Sequence, residues 1–397
     1  MKIQTGTPLQ SMMSRFSQDP LLLCISLAIL LFGFVMMTSA SLHLGARAPI
    51  SDSFHYPFRQ LLHIGIGIIA AGVVVSVDME FWERSGPWLF VFGLLLLVMV
   101  LIPGLGVKVN GSYRWLSVAG FRIQVSEIVK FFSVIYMAGY VTRHGEMLRK
   151  TTYGLFRPLL LLSFACLLML LEPDFGSAVV VLIIALGVMF LSGARLWQFF
   201  LLLALVTLLA LALVYFSPYR WARVTAFIDP WVDPLKTGFQ LVQALISFGR
   251  GEWLGVGLGA GIQKLFYLPE AHTDFLFSVI AEELGLLGVL TTIGLYSLLL
   301  WRAFVIGSEA ERMDQQISAY VAYGLAIWFG FQSFVNMGVN MGVLPTKGLT
   351  LPLMSYGGGS MITMCCALAL LFRIHSETLA LQRPAAKQGK VRWASAS

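Results

Sequence analysis

The sequence predicts an all-α protein that crosses a membrane ten times, with one long loop outside the membrane and both termini in the cytoplasm. Composition is the first reason: of 397 residues, 58% are hydrophobic and only 12% are charged, against roughly 25% charged in soluble domains. The second reason is that the apolar residues fall in separate runs long enough to cross a bilayer. Such a chain cannot bury its apolar side chains in one globular core.

Ten apolar runs are separated by Pro, Gly and charged residues. They lie near 21–40, 58–77, 87–103, 126–142, 157–172, 176–192, 196–216, 275–301, 317–343 and 352–375. The first run follows a polar segment, 1–20, that is too long and too polar for the start of a signal peptide. We therefore expect the first run to be a retained helix.

Charge between the runs sets the predicted orientation. Lys and Arg are frequent in the segments that are inside if the N-terminus is cytoplasmic, and they are sparse in the short outer loops, where Arg114 is one of them. Segment 1–20 and the polar tail 376–397, which we expect to be disordered, then lie in the cytoplasm. Residues 21–375 form one membrane domain, in which 217–274 is a large outer loop between helices seven and eight. Loops of that length are usually functional.

The positions of the basic residues and of the cysteines argue against nucleic-acid binding and against metal or disulfide sites. The positive residues are scattered through loops without a basic helix or zinc pattern, so no nucleic-acid partner is expected. The cysteines all fall inside apolar runs, which argues against disulfides and metal ligation and favours a role in packing. They are Cys24, Cys166, Cys365 and Cys366.

Asp274 stands where the long loop meets the eighth run, directly after His272 and Thr273. It is either the N-cap of that helix, because Asp oxygens accept first-turn amides, or a functional carboxylate. Glu282 and Glu283 follow deeper in the run, where charge is costly and marks a functional candidate. At 100° per residue these two lie on different sides of the helix, so we expect them to serve different partners.

Two further charged pairs lie in the spans. Glu127 and Lys130 are three residues apart, so they share a helix face and are expected to neutralise each other. The alternative is that Lys130 pairs with Asp274 at the same outer depth. Arg59 and His63 lie one turn apart in the second run, where the simplest interpretation is an arginine that reaches the outer surface.

Short polar segments supply the remaining candidates. The Glu-Pro-Asp connection at 172–174 predicts a turn in which Asp174 starts the next helix. In the ninth run a polar residue recurs every fourth position, which favours hydrogen bonds between helices; these are Gln332, Asn336 and Asn340. Arg220 and Arg223 would bind phosphates, either of lipid headgroups or of a bound substrate.

Several motifs together resemble one family, the shape, elongation, division and sporulation proteins typified by FtsW, RodA and SpoVE. The similarity covers residues 21–375, with one departure: Gly359 follows a Gly-Gly pair where the family usually has Ser, Thr or Asn. The motifs are Tyr219-Arg220 to Asp229-Pro230-Trp231, GFQLVQALISFGRGEWLGVGLG from Gly238, QKLFYLPEAHTDF from Gln263, EELG from Glu282, and the stretch from Asn336 through LPTKGL to Ser355-Tyr356-Gly357-Gly358.

This resemblance implies a ten-helix fold and a peptidoglycan glycosyltransferase. Such an enzyme polymerises lipid II at the outer face of the bacterial inner membrane, here during septal wall synthesis in cell division. The resemblance makes Asp274 the catalytic carboxylate and places Glu127 and Lys130 in a central cavity, while the position of Glu282 deeper in its helix suits a supporting role. Substrate-binding candidates around them are Arg59, Asp174, Arg220, Arg223, Lys264, His272 and Ser355.

The chemistry expected of such an enzyme leaves two roles open for Asp274. It is a general base for the acceptor hydroxyl, or it is a ligand of a divalent cation, Mg²⁺ or Mn²⁺, that bridges to the diphosphate of the lipid. The implied partners are an undecaprenyl-diphosphate-linked glycan, a class B penicillin-binding protein of the FtsI type and other division proteins.

Two other functions remain as alternatives. A lipid II flippase would also need ten spans and a charged cavity, although transporters usually place their site near the midplane between repeated halves. Here the candidates lie at the outer boundary and no repeat is visible, which favours chemistry outside the membrane. A non-catalytic division scaffold would leave Asp274 as a helix cap.

Overall fold

The computed structural model describes residues 15–46, 51–109, 112–118, 121–346 and 348–394. The described part is mainly helical, with one small three-stranded sheet. Its helices are α1 (Pro20–Ala46), α2 (His55–Ser76), α3 (Met79–Leu101), α4 (Val125–Lys150), α5 (Thr152–Leu171), α6 (Phe175–Leu191), α7 (Leu196–Tyr215), α8 (Pro218–Ile228), α9 (Phe239–Gly251), α10 (Leu276–Arg312), α11 (Gln316–Asn340) and α12 (Gly358–Ala394). The strands are β1 (Gly106–Val109), β2 (Ser112–Val118) and β3 (Phe121–Gln124).

The helices have the length and composition of a polytopic membrane protein. Among the described residues, 8 helices are long and apolar enough to cross a membrane. Two further helices overlap predicted spans without meeting both conditions: α6 is apolar but has only 17 residues, and α11 has 25 residues but carries the polar stripe. The prediction of a helical polytopic membrane protein is therefore confirmed.

The helices α4 and α11 lie at the centre of the bundle. The described part of α4 is buried along most of its length, and it packs against α3, α5, α6 and α11. In contrast, α7 exposes most of its apolar side chains, as expected for a helix that faces lipid. The central helices therefore carry their polar residues into protein, where partners are available.

Three parts of the fold differ from the sequence prediction. Residues 106–109, 112–118 and 121–124 form an antiparallel sheet in the order β1-β2-β3; the sequence Asn-Gly at 110–111 is a typical hairpin signal that could have indicated it. The long loop contains α8 and α9. Helix α12 continues beyond residue 375, where the tenth predicted run ends, and Arg373 pairs with Glu377 one turn later; the disorder expected of the tail stays a prediction.

Helix α10 is broken at Gly285, whose backbone is far from helical (φ 63°, ψ −157°). The segment that follows α9, residues 252–262, packs against this break, and we call it the bracing loop. Four main-chain hydrogen bonds join them: Leu286 N to Glu252 O (2.9 Å), Leu287 N to Trp253 O (3.2 Å), Val256 N to Glu282 O (3.0 Å) and Gly257 N to Glu283 O (3.0 Å). The loop thus satisfies polar groups that the break exposes, as an apolar environment demands.

We expect Gly285→Ala to destabilise the fold strongly. A Cβ at Gly285 would lie 2.4 Å from Gly255 N and 2.7 Å from Gly251 O, on a backbone conformation that L side chains rarely adopt. The cost should be at least about 2 kcal/mol, measured as a lower unfolding temperature in detergent.

Gly294→Ala is the matched control, because a Cβ at Gly294 in the same helix meets nothing within 4 Å. That variant should unfold at the wild-type temperature or slightly above it. Equal unfolding temperatures for the two variants would contradict the structural role assigned to the break.

Candidate active site

A polar cavity of about 830 Å³ lies where several helices begin. Its wall is formed by β2, the first turns of α4 and α6, part of α8, the segment before α10 and the segment 345–360 around the start of α12. This volume is typical of a small-molecule site. The charged residues in its lining are Arg114, Glu127, Asp174, Arg223, Glu270 and Asp274.

The main chain of Asp274 is held rigidly at the edge of this cavity. Its N–H donates to Glu270 O (3.1 Å), and its carbonyl oxygen accepts from Asn336 Nδ2 (2.9 Å) and Asn340 Nδ2 (3.0 Å). The polar stripe of α11 therefore bonds to neighbouring segments, as predicted, and one of its targets is the backbone of the candidate catalytic residue.

The half-buried side chain of Asp274 is not used to hold the structure. Helix α10 begins at Leu276 without a side-chain cap bond, so the alternative of Asp274 as a helix cap is wrong. Within the described ranges, its carboxylate makes no hydrogen bond or ion pair. Gly348 lies directly against it, since a Cβ there would be 2.6 Å from Asp274 Oδ2. The carboxylate is thus positioned by its backbone and left available to a ligand.

Burial, with a smaller contribution from the nearby Glu270, raises the pKa of the Asp274 carboxyl to about 7 against the opposing charges of Arg223 and Arg114. A carboxyl group with a pKa close to the operating pH is present partly as the base and accepts a proton readily. The environment therefore suits Asp274 to proton transfer at neutral pH.

Glu127 and Lys130 form the ion pair that their spacing predicts. Lys130 Nζ donates to Glu127 Oε1 (2.7 Å) and to Gln332 Oε1 (2.9 Å), and lies 5.5 Å from the centre of the Trp328 ring. Because Lys130 is completely buried by these contacts, the alternative pairing with Asp274 is wrong. Glu127 Oε2 is buried without a hydrogen-bond partner in the described structure, and the residue lines the cavity.

Glu282 and Glu283 bind different partners, as their helical positions predict. Glu282 accepts hydrogen bonds from Arg250 Nη1 (2.8 Å), Ile262 N (2.9 Å) and Gln263 N (3.1 Å). Both glutamates are fully buried. Glu282 therefore does not line the cavity but ties the end of the bracing loop to α10.

Glu283 forms the second tie between these segments. It accepts from Lys264 Nζ (2.5 Å), Ser39 Oγ (2.8 Å) and Gly259 N (2.9 Å). Lys264, which the resemblance made a substrate-binding candidate, is buried in this pair and is absent from the cavity wall. Its pairing with Glu283 of α10 explains why, because a buried lysine needs a carboxylate close by. Ser39 extends the tie to α1.

Asp174 caps α6 and also lines the cavity. Its Oδ1 accepts from Ser177 N (3.3 Å), while Oδ2 accepts from Ser126 Oγ (2.8 Å) and Gln124 Nε2 (3.3 Å). The predicted turn and helix start are thus confirmed. These bonds link the start of α6 to the start of α4 and so join two parts of the cavity wall.

Three other candidates lie behind the wall. The His272 carbonyl accepts from Tyr356 N (2.9 Å), and the His272 ring packs against Tyr356 and Tyr56 at 5.4 and 5.3 Å. Ser355 is buried and accepts a main-chain hydrogen bond, and Arg59 is an exposed residue that interacts with Tyr356. Tyr356 itself lines the cavity, so these residues support the wall rather than form it.

The two predicted phosphate ligands lie on α8. Arg223 lines the cavity and donates from Nη1 to Thr346 O (3.2 Å). The side chain of Arg220 lies outside the described residues. Arg114 and Glu270 also reach the cavity, although the sequence analysis proposed neither for the site. Arg114 depends on strand pairing for its position, so no local signal marks it.

The described residues contain no group of three or more His, Cys, Asp or Glu side chains that could hold a metal ion by themselves. A cation shared with a bound diphosphate does not need such a cluster, since Mg²⁺ often takes one or two carboxylates together with phosphate oxygens. The Asp274 carboxylate, which has no partner among the described residues, suits this purpose. The cation thus stays a prediction.

The fold and the cavity define an integral membrane protein with a carboxylate available in a polar site. The model of the cell cycle protein family of FtsW, RodA and SpoVE matches residues 20–379. The chain belongs to this family, and the resemblance seen in its motifs is confirmed.

Curated relatives and solved structures agree with this assignment. A probable peptidoglycan glycosyltransferase FtsW from Methylomonas methanica is 60% identical over 369 residues, covering 93% of this chain and 95% of the relative. One from Methylococcus capsulatus is 57% identical over 366 residues, covering 92% of each.

Among solved structures, a chain of a peptidoglycan synthase complex, described for its coordination of polymerisation and crosslinking, superposes with a TM-score of 0.73 at 32% identity, covering 90% of this chain and 97% of that one. The rod shape determining protein RodA of Thermus thermophilus gives 0.65 at 29% identity, with 89% and 95% covered. Both structures share the fold over nearly their whole length.

We expect Lys264→Met to destabilise the protein by about 3–5 kcal/mol, because it leaves the buried Glu283 carboxylate without its cation. The double variant Lys264→Met/Glu283→Gln should recover part of this loss. The free energy of unfolding in detergent micelles measures both effects.

Lys150→Met is the control, since Lys150 pairs with Glu146 at the surface, where the side chains are 71% and 88% exposed. Its effect should stay within about 1 kcal/mol. If Lys264→Met lowered the free energy of unfolding no more than Lys150→Met does, the buried Lys264–Glu283 pair would not stabilise the fold.

Proposed function

We propose that this chain is a peptidoglycan glycosyltransferase that polymerises lipid II into glycan strands at the outer face of the bacterial inner membrane, during septal wall synthesis. The observation that carries the proposal is the Asp274 carboxylate, which faces a polar cavity without a partner among the described residues and has a pKa of about 7. Family membership supports it, because relatives with the same length and family are named as probable glycosyltransferases.

The proposed topology has ten spans, formed by α1 to α7 and α10 to α12, with both termini in the cytoplasm. The cavity wall includes the starts of α4, α6, α10 and α12, which are the fourth, sixth, eighth and tenth of these spans. If the first span starts inside, every even-numbered span starts outside. The cavity then lies at the outer surface, on the side where lipid II would be used.

In the proposed reaction Asp274 acts as the general base. It removes the proton from the acceptor 4-hydroxyl as that oxygen bonds to the anomeric carbon of the donor. The bond from this carbon to the diphosphate breaks, and the undecaprenyl diphosphate leaves with the electron pair. Proton transfer of this kind commonly contributes about 10²–10⁴ in rate, and the guanidinium groups at the cavity offset charge on the departing group.

A divalent cation, Mg²⁺ or Mn²⁺, would be held by Asp274 together with the diphosphate of the donor. When bound, it would neutralise charge on the leaving group. Both roles require the deprotonated carboxylate, but only the base accepts a proton from the acceptor hydroxyl during the reaction.

The proposed partner is a class B penicillin-binding protein of the FtsI type, which would crosslink the new glycan, along with other division proteins. Support comes from the likeness to a chain that was solved in a peptidoglycan synthase complex. The substrates would be lipid II and the growing glycan on undecaprenyl diphosphate.

We expect Asp274→Asn to lower polymerisation of lipid II by at least about 10²-fold, because an amide cannot accept the proton. The measurement is glycan formation by the purified chain with its partner. Asp52→Asn is the control, because Asp52 is exposed and its Oδ1 only accepts from Phe54 N (3.0 Å). Normal glycan formation by Asp274→Asn would overturn the site, and translocation of lipid II without polymer would favour a flippase.

The pKa of Asp274 also predicts a pH profile. The active form is the carboxylate, so kcat/KM should rise with pH through about 7 and level off above it. As this group binds its proton more tightly in the folded state, its contribution to stability should fall as pH rises from about 4. A kcat/KM already constant between pH 5 and pH 8, measured on the wild type, would contradict the role of base.

A further inference from the structure

Arg114 is fixed to the protein by two main-chain carbonyls. It lies on β2, and its Nε and Nη2 donate to Glu172 O (3.1 Å) and Pro173 O (2.6 Å) in the connection between α5 and α6. These bonds pin the sheet to the helical bundle. They also set the plane of the guanidinium at the wall of the cavity that contains Asp274.

The carbonyls hold Arg114 without neutralising its charge. Among the described residues, Arg114 takes part in no ion pair. The adjacent carboxyl of Glu172 is buried and neither of its oxygens has a hydrogen-bond partner in the described structure. Burial, with a smaller contribution from Asp174, raises the pKa of Glu172 to about 8 against the opposing charge of Arg114. Glu172 is therefore mainly uncharged at pH 7.

Asp174 is the other acid in this connection, and its oxygens are already occupied. They accept from Ser126, Gln124 and the main chain of Ser177. A carboxylate with three donors has little need of a fourth. The positive charge of Arg114 is thus held close to acids that do not pair with it, which is an arrangement that a structural role alone would not require.

Among the described residues, two basic side chains line the cavity, Arg114 and Arg223, and both lower the pKa of Asp274. They come from different elements, β2 and α8, and Arg223 is likewise bonded to a main-chain carbonyl, Thr346 O. A guanidinium has five N–H donors in a rigid fork, of which Arg114 spends two on carbonyls. The remaining donors suit phosphate oxygens, whereas a neutral sugar would not need the charge.

We propose that Arg114 binds the diphosphate of the lipid-linked donor, an inference that rests on the proposed glycosyl transfer. The guanidinium, held by the Glu172 and Pro173 carbonyls, contacts phosphate oxygens while the sugar end of the donor reaches Asp274. Glu172 remains neutral beside Arg114, so the phosphate does not compete with a neighbouring carboxylate for the guanidinium group.

The test measures binding without chemistry. The full-length protein in nanodiscs is titrated with undecaprenyl diphosphate and, separately, with inorganic pyrophosphate. Arg114→Gln should weaken both by about 10- to 100-fold, which corresponds to the loss of a charge-assisted hydrogen bond. Arg114→Lys, which keeps the charge but not the fork, should weaken both by less. Arg84→Gln is the control, since Arg84 is an exposed residue of α3 paired with Glu80.

Each outcome decides the proposal. Equal affinities of wild type and Arg114→Gln for undecaprenyl diphosphate overturn it, as does a loss for the lipid without a loss for pyrophosphate, because the arginine would then act on the lipid chain. If Arg114→Gln unfolds at a lower temperature than the wild type, its affinity is measured at a reduced temperature, where it is folded, and the affinity of Arg114→Lys is measured as well. Wild-type affinity of both variants refutes the phosphate contact.

The same measurements separate this proposal from the proposed function. Arg114-dependent binding of diphosphate by a chain that makes no glycan would leave the binding site standing and refute the transferase. Glycan formation that depends on Asp274, together with diphosphate binding that is independent of Arg114, would support the transferase and refute the role of Arg114.

Discussion

Two adjacent carboxylates in the interior of a broken helix are the constraint around which this part of the structure is built. Glu282 and Glu283 would each be costly to bury alone. Each is instead met by one cation and by main-chain or hydroxyl donors from the bracing loop and α1. Because Glu282 and Glu283 have different partners, they hold the loop at two places. Movement of the loop at either place would leave a buried carboxylate without its partners.

This arrangement has a direct effect on Asp274. The bracing loop leads into the segment 263–275, and Leu268 N donates to Gln263 O (2.8 Å) within it. The far end of the segment is fixed by Asn336 and Asn340, which bind the Asp274 carbonyl. The segment 263–275 is thus anchored at both ends by hydrogen bonds that do not involve the Asp274 carboxylate. Rigid support and a free functional group are obtained together, as precise catalysis requires.

Much of this could be predicted from the sequence because the signals are local. Long apolar runs fixed the helices, a spacing of three residues indicated the Glu127–Lys130 pair, and helical phase separated Glu282 from Glu283. The missed features depend on distant pairs. Ser39 and Glu283 are 244 positions apart, and Arg114 reaches its carbonyls across 58 and 59 positions. The partner of Lys264 is 19 positions away across a turn that no periodicity marks.

The cavity lies where four helices begin, and this has an electrostatic consequence. The first turns of α4, α6, α10 and α12 carry main-chain N–H groups without helical partners, equivalent to about half a positive charge at each helix start. Among the described residues, the lining contains four carboxyl groups and two guanidinium groups, so acidic side chains outnumber basic ones there. The four helix starts together add about two positive charges, comparable to the two guanidinium groups, and they come from the backbone itself, which no side-chain substitution removes.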